Sequence, residues 1–474
     1  MLEGSIFYAL IVKICEWFSR QLQNSKFVQI FLSQNDNIAT SRNSIFYKLF
    51  EIIRAFFANV FRAIGLQKLL EGSIFKISYL WCFLAVFVAP FLPTMLVLAL
   101  VLASFGSLFL ELICNREKKL KYYAINKYVY LYAGAYLFAT FTSVAVKESL
   151  FGGLLSVIFM LFFIVLINAV TTRKQLHILL FFFIIAGVLV SFYGFYQFLF
   201  PEKFSGVWHD KQMFEDISFR VYSTLENPNV LGEYLLLVIP IAFAYVLNSR
   251  KIAHKLIFLA CTGVMMLCLI MTYSRGCYVG ILVALGLFLV ILDRRFILLG
   301  ILVLCLLPFV LPQSIINRFL SIGNMADSST SYRVYIWMGT FAMLKDYWIC
   351  GIGPGTGAFN QVYPAYAYNS ISAPHSHNLF LQIICDAGVI GIVLFAAVIY
   401  QYYKATFAAL TVVKGKRNRI FIMAGISSIT GFLVQSLFDY TFYNYRVMLL
   451  FWIAMAIGIL FTKMSRQREE QTYS

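Results

Sequence analysis

Three arginines and two histidines stand out because each sits in a short polar segment flanked by apolar chain: Arg220 in RVYSTLENPN, Arg275 in TYSRG, Arg333 in SYRVYIW, and His375 and His377 in APHSHNLFLQ. A guanidinium is permanently charged and its planar fork fits phosphate oxygens. Converging arginines therefore suit a pyrophosphate, such as that of a polyprenyl-linked glycan in an external leaflet. Neutral imidazole is the side chain best placed to take a proton near pH 7. If His377 draws a proton from an acceptor hydroxyl, that oxygen can attack an anomeric carbon while the arginines stabilise the departing pyrophosphate. Such an in-line substitution inverts the sugar and requires no metal. The plainer readings are arginines that snorkel to headgroups or pair with an acid such as Asp439, and a histidine pair hydrogen-bonded to backbone or holding an adventitious metal with no further ligand.

Arg275 is the most telling of these residues. It stands between two apolar runs with few polar neighbours, and an arginine near hydrocarbon needs an anionic partner. Asn378 is placed to cap the apolar helix that follows His377, which would set the imidazole at that helix's N-terminal end. Of the acids, Glu226, Asp210, Glu215 and Asp216 fall on the arginines' side of the membrane in the topology below, but no DxD pair marks a carboxylate-held cation. Asp386, nine residues after His377, lies inside an apolar segment. An acid there is functional by default, although an arginine or a water would also satisfy it. Asp439 and Arg446 complete the candidates for a supporting role.

These residues meet only if the elements between them bring them to one face. The chain of 474 residues is 61% hydrophobic and 12% charged, a balance that no soluble domain could solvate, so the bilayer is its solvent. Forty-eight Phe and 29 Tyr suit lipid-packed helices with aromatic rims. At roughly 20 residues per crossing, apolar runs at about 76–91, 93–113, 126–145, 150–170, 176–200, 229–248, 256–273, 277–292, 296–312, 379–402, 419–438 and 447–462 predict an all-α polytopic protein of about twelve transmembrane helices. Pro90 and Pro93 divide the first long run in two.

Lys and Arg crowd one set of loops (Arg116 to Lys121, Arg173 and Lys174, Arg250 to Lys255, Arg294 and Arg295, Lys404 to Arg419, Lys463 to Arg468) and are sparse in the longer alternate set. By the positive-inside rule the crowded set is cytoplasmic. The three arginines and both histidines then share the external side. A net charge of +17 would suit nucleic acid only if gathered on a soluble face, and here it is spread over short loops. The two largest external loops are about 201–228 and 313–378, and loops of that size carry function. Within the second, Tyr332 to Lys345 reads as an amphipathic helix ended by the turn-rich WICGIGPGTG, a possible lid.

Residues 1–75 read as a retained cytoplasmic region with amphipathic helices such as NSIFYKLFEIIRAFFANVFRAI, broken by Lys13, Glu16, Arg54 and Arg62. EGSIF recurs at Glu3 and Glu71, too short to make a repeat. The membrane domain is 76–462 and a cytoplasmic tail 463–474. Nine cysteines lie mostly in apolar runs and form no disulfide or metal motif.

At RVYSTLENPN, TYSRG, the arginine opening the long loop, GIGPGTGAFNQVYP and HSHNLFLQIICDAGVIG, the chain resembles the O-antigen ligase and Wzy-type polymerase superfamily, from about Lys121 to Phe461. The resemblance implies a C-type glycosyltransferase-like fold in the bacterial inner membrane, with the catalytic loop between helices 9 and 10 outside. It implies an undecaprenyl-pyrophosphate glycan donor, a glycan, lipid or protein acceptor, metal-independent transfer, and no cofactor. By position the catalytic histidine is His377, joined by His375, and the pyrophosphate arginines are Arg275, Arg333 and Arg220. Asp386 departs from the glutamate of many relatives. The stretch from Gly351 to Pro364 also resembles a subgroup once labelled bicarbonate transporters, in which the histidine motif can be missing; HSHN is present here. Ligase and polymerase stay unseparated. A solute or bicarbonate transporter, which should show interrupted helices and repeated halves, and a structural scaffold are the readings of other classes.

Overall fold

The computed structural model describes residues 45–65, 77–115, 118–204, 219–310 and 312–473. Lys13, Glu16, both EGSIF copies, Arg116, Asp210, Lys211, Glu215 and Asp216 lie outside them. Among the described residues the chain is helical with no strand. Each apolar run read from the sequence lies in a helix: α2 Ile77–Val88, α3 Thr94–Cys114, α4 Ala124–Phe141, α5 Val146–Ala169, α6 Arg173–Leu199, α7 Pro228–Asn248, α8 Ile252–Met271, α9 Arg275–Leu292, α10 Phe296–Val310, α14 Leu379–Val412, α15 Lys416–Gln435 and α16 Tyr445–Tyr473. They are preceded by α1 Ile45–Ala63, and α11 Gln313–Leu320, α12 Ser328–Tyr347 and α13 Thr356–Val362 lie between α10 and α14.

Eight of these helices, α3, α5 to α9, α14 and α16, are long and apolar enough to cross a membrane. The chain is a multi-pass membrane protein. The other four runs fall short for local reasons: α2 and α10 have 12 and 15 residues, α4 is rich in tyrosine and carries Asn126 and Lys127, and α15 opens on KRNR. α16 continues to Tyr473 without a break at 462, so the expected tail begins as part of the last helix.

Contacts between connections define two ends of the bundle. At one, Arg173 donates to Asn418 and Ser465, Lys121 donates to the Ile167 and Val170 carbonyls, and Lys463 lies over the Tyr123 ring. α1 joins this end. The buried side chain of Arg54 donates to the Leu112 and Asn115 carbonyls, while Leu49, Ile52, Ile53 and Phe56 stay exposed. At the other end Thr224 donates to Pro90, Ser143 to Ile352, and the Val221 amide to Met271.

α16, α7 and α5 are the most buried spans, whereas α8 and α9 are the least buried. Glycine lets the site-bearing helices approach. A Cβ on Gly280 of α9 would meet the Gly431 carbonyl of α15 at 2.8 Å, the close backbone packing by which membrane helices associate.

α14 is interrupted, which the sequence reading did not anticipate. Ala387 and Gly388 leave helical geometry, Gly388 at φ 64°. The backbone groups so freed are taken up by the WICGIGPGTG stretch: the Ile352 and Gly353 amides donate to the Cys385 and Asp386 carbonyls, and the Val389 amide donates to Trp348. Only glycine fits there, since a Cβ on Gly388 would lie 2.0 Å from the Ile349 carbonyl oxygen. Non-helical backbone at membrane depth is tolerated when protein satisfies it in this way.

Candidate functional site

A cavity of about 450 Å³ opens among α7, α9, α11, α12 and the segments before α14 and after α15. It is lined by Arg220, Arg275, Arg318 and Arg333, by His375 and His377, and by Asp439, Glu233, Asn229 and Gln435. The five residues from which the sequence argument began are thus brought together. Arg318, which no motif singles out in the sequence, belongs with them.

The turn between α8 and α9 organises the arginines. Its carbonyls point away from either helix and serve as acceptors: Arg220 Nε donates to Thr272 at 2.8 Å, and Arg318 donates through Nε and Nη2 to Tyr273 at 3.4 and 3.2 Å. Tyr273 itself sits at φ 50°, a strained position for a residue with a side chain. Arg275, first residue of α9, reaches across to Asp327 and Ser329 at the start of α12 and to Ser321 at the end of α11. Its anionic partner is therefore Asp327 rather than Asp439. Arg333 stands on α12 with one bond, to the Ser329 carbonyl, and a buried Nε that has no partner.

Burial and mutual repulsion act on these cations. Burial first, then Arg318, pulls the Arg220 guanidinium down to about 9, and burial followed by Arg275 pulls Arg318 down to about 10. Both remain charged at pH 7. A polyanion entering the cavity would relieve that repulsion.

His377 is held from three directions. Its φ of 49° turns the chain sharply before Asn378, whose side chain accepts from the Phe380 and Leu381 amides and so caps α14, as the sequence suggested. Nδ1 lies 3.0 Å from Asp439 Oδ1, and the His377 amide donates to His375 Nδ1 at 3.2 Å. Beside a carboxylate Nδ1 carries the proton, which leaves Nε2 as the basic nitrogen in the cavity wall. Asp439 is fixed in turn by Asn229 at 2.7 Å and the Tyr440 amide at 2.9 Å. Burial alone would raise its carboxyl, but the bond and charge of His377, with Arg333 behind, hold it well below the usual carboxylate range. His375 is buried against Tyr440 and Tyr443, and burial, then the charge of His377, lowers it to about 3, so it is neutral.

The remaining candidates lie off the cavity. Asp386 is satisfied by Tyr136 at 3.0 Å, Gln382 at 2.8 Å and Tyr440 at 3.5 Å, rather than by an arginine. It sits where α14 breaks. Arg446 pairs with exposed Glu226 at 3.7 Å and donates to Thr224. His375, His377 and Asp439 also form a group able to hold a metal, their ligand atoms within 4.8 Å of one another; Asp439 supplies the third ligand missing from the sequence reading.

Residues 258–396 match the O-antigen ligase family. The O-antigen ligase match covers a little under a third of the chain and contains TYSRG, Arg318, Arg333, the glycine-rich stretch and HSHN, but ends before Asp439 and begins after Arg220. It supports the superfamily resemblance and a membrane glycosyltransferase-like role for the chain. Comparison with curated proteins finds no match.

Proposed function

We propose that the protein is a glycosyltransferase that moves a glycan from a polyprenyl-pyrophosphate donor to an acceptor hydroxyl at the external face of the bacterial inner membrane, with all twelve apolar helices crossing and the 1–75 region and C-terminal tail on the cytoplasmic side. The observation that carries this reading is a histidine–aspartate pair facing the same cavity as four arginines. Nε2 of His377 takes the acceptor proton, the acceptor oxygen bonds to the anomeric carbon, and the bond from that carbon to the pyrophosphate oxygen breaks with its electron pair leaving on phosphate. The sugar inverts. Asp439 fixes the tautomer and balances the imidazolium, and the arginines stabilise the charge that develops on the leaving group.

The break in α14 is the feature that a transporter would share. Its freed backbone groups and Asp386 are bonded within the protein, so nothing there offers itself to a solute. Purified protein incubated with a synthetic polyprenyl-pyrophosphate saccharide and acceptors, with EDTA present, tests the reading. Wild type should release polyprenyl pyrophosphate and His377→Ala should be slower by roughly 10²–10⁴-fold; equal rates would remove His377 as the base. Product length then separates ligation from polymerisation.

A further inference from the structure

Glu233 stands in α7 one turn deeper in the bundle than Asn229, the residue that holds Asp439. Its side chain is 1% exposed, yet it lines the cavity. Oε1 accepts a long bond of 3.5 Å from Gln435 Nε2, and Oε2 has no partner. Gln435 Oε1, also in the cavity lining, has none either. Gly276 makes room for the Gln435 amide: a Cβ there would lie 1.8 Å from Gln435 Oε1. A buried acceptor left unmade costs about 1–3 kcal/mol. Two such oxygens side by side, in residues that line a binding cavity, would be satisfied by hydrogen-bond donors that a ligand brings.

A polyprenyl chain has no donors, and a pyrophosphate is an anion made of acceptors, already matched by the arginines above. Saccharide hydroxyl and amide N–H groups are the complementary chemistry. We propose that Glu233 and Gln435 form a saccharide subsite at the floor of the cavity, accepting hydrogen bonds from a glycan. This assignment rests on the glycosyl-transfer reading of the cavity. The glycan is that of the donor or that of the acceptor, and the two make the same demand.

The full-length protein is tested in two arms. In the first, donor and acceptor are varied in turn for wild type, Glu233→Gln and Gln435→Ala. The subsite predicts a rise of about tenfold or more in one KM, with kcat within a few-fold and the thermal midpoint unchanged. A donor KM effect assigns the donor glycan and an acceptor KM effect the acceptor; unchanged KM values in active variants overturn the proposal. The second arm needs no variant to fold: saturation-transfer NMR of wild type with free N-acetylglucosamine, N-acetylgalactosamine, galactose and rhamnose disaccharides. Binding by a protein that transfers nothing would retain the subsite and discard the transfer reading. Absence of saccharide binding in wild type would make Glu233 and Gln435 a structural pair and end the proposal.

Discussion

The cavity arginines do different work although they share one charge. Arg275 is committed to Asp327 and two serines, whereas Arg333 has an unpartnered Nε in the wall. Arg333→Ala should raise the donor KM roughly 10–100-fold, one lost charged hydrogen bond, with the thermal midpoint kept. Arg275→Ala strands a buried carboxylate and should cost about 3–5 kcal/mol; adding Asp327→Asn should restore part of the lost stability, and a strictly additive double variant would refute the pairing. His375 supplies a pH dependence. Its folded value of about 3 lies below the ordinary 6.5, so the unfolded chain takes the proton first. The stabilisation is complete above pH 6.5 and is lost as pH falls toward 3, by about 2 kcal/mol at pH 5. Asp439, held low, contributes almost no slope between pH 7.5 and 5 and adds its own loss only as pH falls through the ordinary carboxylate range, where the unfolded chain takes the proton first. Thermal inactivation midpoints should therefore fall from pH 7.5 to 5 in wild type and less in His375→Gln.

Element by element, hydropathy located the helices because apolar length is what a bilayer selects. It could not show the break in α14, since Ala387 and Gly388 sit in an apolar run interrupted near them only by Asp386 and Gln382, and hydropathy does not report backbone geometry. The turn-rich GIGPGTG was legible as a turn, but not as the strap that closes that break. Gly388→Val would force a side chain against the Ile349 carbonyl. It should lower the yield of folded protein in detergent, while Gly286→Val, with open space around its Cβ position, should leave it unchanged. At the site, His377, His375 and the three motif arginines were readable from polar islands in apolar sequence. Arg318 and Asp327 were not, because only the fold of α11 and α12 returns them to the α8–α9 turn. Glu233 was readable in principle: the rule that singled out Asp386 as an acid within an apolar run applies equally to it.

For the whole molecule, the two ends of the bundle differ in kind: one is knitted from basic loops and α1, the other holds the cavity. The proposed orientation puts the cavity outside. In a cysteine-free background, Asn360→Cys in α13 should react with an impermeant maleimide in intact cells, and Lys416→Cys at the start of α15 only after permeabilisation; both positions are exposed. The opposite pattern would invert the topology. The crowding of cations in the cavity also bears on turnover. On the proposed reaction, the pyrophosphate left behind when the glycan departs gains negative charge, so the four arginines would hold the spent lipid more firmly than the loaded one. On that reading escape of the product would be the slow event. Its pace in a cell is then set by whatever removes the lipid carrier from the outer leaflet, and by how much ionic strength loosens the hold.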